Sequence, residues 1–413
     1  MATRQAYQLA GLPDLNPYRD ALANAPSQSR AICQDWNVSS ALNSSMIFYL
    51  VSETHSYTIN SYLTSWGIGL ASRMRTIYYE ELYRMKRVPA GTYIFSDIER
   101  LSPQQAEQVA GIWKKLANSG IEARLLNHPT HSMRRYELLR TLYERGFNQF
   151  NVYRLTEQRQ PQRFPVFIRG ENDHGGSRTD LLHTPEELDA AIAQIFDSGQ
   201  SREDKLIVEY IDTADEQGLF RKYSAFIVGD RILPRHLFFG EKWVLKVPKR
   251  VDDPFMVEER AYVENNPHEA TLREVFQLAR IQYGRIDYSL LDGKPQVWEI
   301  NTNPQSLGEI RPDNKIQVPR LPQTRFFASR FNQAFEAIDS KADPRQQISV
   351  AEEPLSVQLS ELVQHTIPNQ IARTIRQATA PFPRTQQVAQ KKFGDIRKDL
   401  KKRFNPKKKK GES

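Results

Sequence analysis

The chain has 413 residues, of which 39% are apolar, 10% aromatic and 26% charged, a globular composition that excludes a low-complexity fibre and a wholly disordered chain. Its single cysteine, Cys33, excludes an intramolecular disulfide and a cysteine-rich metal cluster. The net charge of +8 sits at one end: residues 391–413 hold 11 basic and 3 acidic residues, and the other 390 balance at 46 of each sign. A basic tail of this kind suits solubility or contact with a polyanion and says little about chemistry in the body. No apolar run near the start approaches the ~20 residues of a membrane span, and residues 1–12 lack a basic stretch followed by an apolar core. A soluble, cytoplasmic protein is the expectation.

The length suits two or three domains. Pro13, Pro17 and Pro26 punctuate a loop-rich start. Asn37-Val38-Ser39 fits a glycosylation acceptor, a pattern without meaning in a cytosolic chain. The apolar run at 46–51 reads as a strand, and so does the aromatic and β-branched stretch 91–97. Ser102 is the expected N-cap of the next helix, with Pro103 first in the helix and Gln105 three residues after the cap. Ala106, Val109, Ile112, Trp113 and Leu116 recur at helical spacing, Gly120 ends the run, and 121–126 is a strand again. Strand, helix and strand in that order predict a parallel sheet.

Further on, Ser132 is the expected cap of a helix carrying Tyr136, Leu139, Leu142 and Tyr143, ended by Gly146, with a strand over 147–155. Thr184-Pro185-Glu186-Glu187 combines a capping box with an N1 proline ahead of Leu188, Ile192 and Ile195. Strands follow at 206–211, 223–228 and 231–239, the last two joined at Gly229-Asp230. A helix over 271–281 precedes a hairpin of 284–291 and 296–301 across Asp292-Gly293. Beyond Arg330 helical patterns cover 334–342, 357–364 and 371–378, separated by prolines.

Three stretches carry chemistry. In the last hairpin, Arg285 and Asp287 are two residues apart and share a face, and so do Glu299 and Asn301. Two carboxylates and an amide oxygen on one surface suit a hard cation such as Mg²⁺, and a neighbouring guanidinium suits an anionic oxygen. Earlier, a strand delivers Arg169 and runs into the polar loop Asp173-His174-Gly175-Gly176-Ser177. Its glycines allow backbone N–H groups to approach phosphate, although no Walker A lysine follows. Between them, Glu209-Tyr210-Ile211-Asp212 ends a strand with apolar side chains that can hold a flat base and an acid that can meet ribose hydroxyls. His128 and His131 flank Pro129 without an acidic cluster, which argues against a metal site there.

The order of these pieces resembles the ATP-grasp superfamily, over roughly residues 125–315. The resemblance implies an α/β fold: an N-terminal α/β region (1–125), an ATP-grasp domain (126–330), a helical extension (331–390) and the basic tail (391–413). It further implies ATP and Mg²⁺ as cofactors. Arg169 and the loop residues His174, Gly175 and Gly176 would meet phosphate, and Glu209, Tyr210, Ile211 and Asp212 the nucleoside. Asp287, Glu299 and Asn301 would hold Mg²⁺. Arg285 would contact the transferred phosphate or the oxyanion, helped by Lys246 or Lys242. The chain departs from the pattern with Arg169 where Lys is usual, and with Gln305 after Pro304. The implied chemistry is activation of a small-molecule or peptide carboxylate as an acyl phosphate for attack by an amine, releasing ADP, with His236 a candidate base. A kinase of the same fold, and a nucleotide-binding scaffold working through the tail, are the alternatives.

Overall fold

A computed structural model describes residues 45–157 and 159–351. The glycosylation pattern at Asn37, the helical patterns at 357–364 and 371–378, and the basic tail lie outside the described residues.

The first elements are β1 (Ile47–Val51), α1 (Tyr57–Leu63), β2 (Met74–Tyr78), α2 (Tyr79–Leu82), β3 (Arg87–Pro89), β4 (Gly91–Phe95), α3 (Pro103–Ala117) and β5 (Ala123–Leu126). Four of these strands make a wholly parallel sheet in the order β2-β1-β4-β5. The uninterrupted apolar run of β1 fits a central strand covered on both faces. Ile47, Tyr49 and Val51 enter one core, while Met46, Phe48 and Leu50 enter another with Val109, Ile112 and Leu116 of α3. α3 starts at Ser102, whose hydroxyl accepts from the Gln105 N–H at 3.2 Å while Gln105 returns a bond to the Ser102 N–H at 2.9 Å. That is the expected capping box.

A second group is α4 (Arg135–Glu144), β6 (Val152–Arg154), β7 (Val166–Gly170), α5 (Pro185–Asp197) and β8 (Lys205–Glu209). Its strands form an antiparallel sheet ordered β6-β8-β7. One face packs Val166, Ile168 and Ile207 on Leu188 and Ile195 of α5, and the other presents Phe167, Leu206 and Val208. Thr184 caps α5 by accepting from the Glu187 N–H, but Glu187 reaches back one residue further, to the His183 N–H. Two expectations fail here. Ser132 does not cap α4: its hydroxyl donates to Arg280 O and accepts from the His128 N–H, and the helix starts at Arg135 with no side-chain cap. The strand expected over 147–155 shrinks to three residues because Asn148 and the Gln149 N–H bond instead to Val297 and Gln296.

The remaining elements are β9 (Phe220–Val228), β10 (Arg231–Gly240), α6 (Asp253–Asn265), α7 (Glu269–Ala279), β11 (Tyr283–Leu291), β12 (Lys294–Asn301), α8 (Leu321–Ile338) and β13 (Gln347–Ser349). β10-β9-β11-β12 is an antiparallel sheet, and β13 pairs with β3. Asp292 and Gly293 both have positive φ, as a type I′ hairpin requires. α8 starts thirteen residues before the helical pattern expected at 334, with Pro322 in its first turn, where a missing N–H costs nothing. Its Phe327, Phe331 and Phe335 join the core that β1 shares with Phe226 and Tyr283. The architecture is mixed α/β, with parallel and antiparallel sheets.

Candidate active site

A cavity of about 340 Å³ opens between the three-stranded sheet and the four-stranded antiparallel sheet. Period-two alternation puts Arg285, Asp287 and Ser289 of β11 on its wall. In the register of the hairpin Arg285 faces Asn301 and Asp287 faces Glu299. The register slips next to Asp287, and this lets Trp298 line the cavity beside Glu299. The four hairpin residues expected together are therefore together.

Asp287 is buried, Glu299 is half-buried, and both are paired. Asp287 accepts from Arg285 Nε at 2.9 Å, meets Lys222 Nζ at 2.7 Å and accepts from the Ser224 hydroxyl. Burial alone would raise its pKa, but Arg285 and Lys222 hold it far below the usual carboxylate range. Glu299 accepts from Arg135 and, at 3.0 Å, from Arg169, both on Oε2. Against the upward pull of burial, these two guanidiniums lower it to about 2. Asn301 directs Oδ1 to the Asn303 N–H at 2.8 Å. Among the described residues no cluster of three or more His, Cys, Asp or Glu forms a metal cage. Two ionised carboxylates and an amide oxygen on one wall fit Mg²⁺ in donor type, since that ion takes few protein oxygens and leaves room for phosphate and water.

The loop after β7 closes over this wall. His174 lies between Glu99 Oε1 and Asn301 Nδ2, 3.4 Å from each. Gly176 has φ +87°, and a Cβ there would meet Lys246 Cε at 2.9 Å. Lys246 donates to Gly175 O and lines the cavity, whereas Lys242 is exposed and does not. Gly175 is exposed, so of the two glycines only Gly176 faces inward.

At the far end Tyr210 and Ile211 line the cavity with Phe167 and Trp243. Trp243 packs 4.9 Å from Phe167 and edge-on to Tyr210 at 5.8 Å. Glu209 turns the other way. Its fully buried carboxylate accepts from the Asn151 N–H, the Tyr153 hydroxyl and the Gln162 N–H, so it holds the small sheet together rather than meeting a ligand. Asp212 is exposed and bonded to the Ala214 N–H, outside the cavity. His236 is buried, its ring stacked on Phe238 at 3.9 Å. Burial and the cations Arg235, Arg285 and Arg320 hold it neutral, and it does not line the cavity, so it is not placed to act as a base.

Three residues without an expected role belong to the site. Arg135, at the start of α4, donates to Gly170 O, Glu171 O and Asp173 O at 3.0, 2.6 and 2.8 Å and also to Glu299. Lys222 neutralises Asp287, and Trp243 forms an aromatic wall. The only sequence signal for Trp243 was a lone indole in a polar stretch, and for Lys222 its place beside Arg221 just before the strand expected at 223–228.

The chain is similar to several solved structures, among them two ligases and an ATP-grasp protein. The D-alanine–D-alanine ligase of Bacillus anthracis is 13% identical, with 70% of this chain and 99% of that one covered, at a TM-score of 0.39. The RimK domain ATP-grasp protein of Sphaerobacter thermophilus is 12% identical over 68% and 99%, at 0.37. The L-amino acid ligase of Bacillus licheniformis is 10% identical over 62% and 66%, at 0.32. No protein-family model and no curated protein matches the sequence.

Proposed function

We propose that the chain is a Mg-ATP-dependent ligase that activates a carboxylate for attack by an amine and releases ADP. The observation that carries this reading is the division of one cavity into two ends. At one end Tyr210, Ile211, Phe167 and Trp243 offer an apolar slot for a flat base. At the other, Arg169, Lys222, Lys246 and Arg285 stand around Asp287 and Glu299. A nucleoside triphosphate has the same division into aromatic base and polyanion.

Asp287, Glu299 and Asn301 would hold Mg²⁺. When bound, the ion neutralises β- and γ-phosphate charge. Arg285 and Arg169 are aimed at oxygens that gain charge in phosphoryl transfer, and their places are fixed in advance by Asp287 and Glu299. Lys246 bonds the loop at Gly175 and so links loop closure to the charged end. His174 stands at the same end beside Glu99. The substrates would be a small-molecule or peptide acid and an amine.

Thermal unfolding with and without Mg-ATP tests the reading. The wild-type chain is expected to gain stability from Mg-ATP but not from ATP with a chelator, and Glu299→Gln to lose most of that gain. An unchanged wild-type melting temperature at saturating Mg-ATP would overturn it. ADP release that requires both an acid and an amine then identifies a ligase, and a phosphorylated acid formed without an amine identifies a kinase.

A further inference from the structure

The loop after β7 and the segment after β12 both meet a carboxylate from a different sheet. Glu99 lies in the short turn Ile98–Arg100 that follows β4, and only 9% of it is exposed. Its Oε1 accepts from the Thr302 N–H at 3.3 Å, and its Oε2 from the Thr302 hydroxyl. Thr302 Oγ1 accepts in turn from the Ile98 N–H at 3.2 Å, so turn and segment hold each other in both directions. Asn303, the next residue, accepts from the Tyr49 and Thr58 hydroxyls at 2.9 and 2.6 Å and donates its N–H to Asn301 Oδ1 at 2.8 Å. The parallel sheet thus grips the two residues that follow Asn301.

Thr302 accounts for the shape of this contact but not for its charge. A neutral amide side chain could serve the same N–H and hydroxyl, and a carboxylate is costly to bury. Among the described residues no Lys or Arg pairs with Glu99; its ionic partner is His174, whose Nε2 stands 3.4 Å from Oε1. Burial pulls the Glu99 pKa up, and His174 and Thr302 bring it below its ordinary value. His174 belongs to the loop of Gly175 and Gly176 and lines the cavity, and its Nδ1 is 3.4 Å from Asn301 Nδ2. The charge of Glu99 is therefore turned toward the loop.

We propose that Glu99 is a positioning residue of the site: it ties the loop, through His174, and the segment that follows Asn301, through Thr302, to the end of β4, so that the two are placed together. The consequence for Mg-nucleotide binding rests on the reading above; the tie itself does not.

Glu99→Gln keeps the shape and the Thr302 partners and removes the charge beside His174. In the nucleotide-free full chain, amide hydrogen exchange over residues 171–177 is expected to rise about tenfold or more, while β1 and β9 exchange as in the wild type. His174→Gln, at a half-buried loop position, is expected to give the same local rise, which keeps the test valid if the Glu99 variant does not fold. Thermal unfolding at fixed ATP with increasing Mg²⁺ gives the second readout. The Mg²⁺ midpoint is expected to rise about tenfold in either variant and no further in the double variant, because both break one tie. Unchanged exchange over 171–177, a rise spread evenly over the chain, an unchanged Mg²⁺ midpoint beside a responding wild type, or additive losses in the double variant each overturns the proposal. Faster local exchange in a protein whose wild type does not respond to Mg-ATP keeps the tie and sinks the nucleotide reading.

Discussion

Glu299 is a half-buried carboxylate, and two guanidiniums keep it charged. Arg135 is therefore as much part of the site as the acid it meets. Arg135→Met leaves Glu299 with one partner and frees three loop carbonyls, and is expected to cost on the order of 3 kcal/mol in urea unfolding. The double variant Arg135→Met with Glu299→Gln should recover part of that loss, because no buried charge is left behind. Gly176→Ala puts a side chain at φ +87° and against Lys246, and should weaken Mg-ATP binding about tenfold by calorimetry. The pairing of Asp287 with Glu299 was legible from alternation along two strands and a two-residue turn. Arg135 was not, because its partners lie 35 to 164 residues downstream and three of them are backbone carbonyls with no side-chain signature. Glu209 misled for a related reason: position at a strand end does not say which side of the sheet a side chain takes.

At the scale of elements, local chemistry read well where it was self-contained. The Ser102 box needs only four consecutive residues, and it formed. Ser102→Ala should cost about 1 kcal/mol in chemical unfolding, with no effect on nucleotide binding. Ser132 looked equally good as a cap, yet its hydroxyl is used by Arg280, 148 residues away. The start of α8 was hidden by Pro322, which reads as a breaker and is harmless in a first turn. The α6 helix went unread for the same reason, since Pro254 opens it. The histidine at the start of α7 supplies a pH test. His268 bonds the Tyr288 hydroxyl at 2.8 Å, and burial lowers its pKa. The unfolded chain takes up that proton near pH 6.5, before the folded chain does, so stability falls as pH drops below about 6.5. His268→Gln should flatten the melting temperature between about pH 5 and 7; an unchanged slope would assign the effect to other groups such as His236.

At the scale of the whole molecule, β1 ties the parallel sheet to the large antiparallel sheet through one core, and α8 fastens both with Phe331 and Phe335. The three-stranded sheet has cores of its own. What joins its loop to the hairpin is polar: Arg135 and Arg169 on Glu299, and His174 beside Asn301. Lys246, from the loop after β10, also holds Gly175. These polar contacts can part at the loop, while Trp298 stacked on Phe150 and Trp243 packed against Phe167 remain as apolar contacts of the small sheet. Release of a trapped nucleotide would then depend on the polar contacts of the loop, so that Arg169→Gln or Lys246→Met shortens the residence of ADP while the rest of the molecule melts at nearly the same temperature.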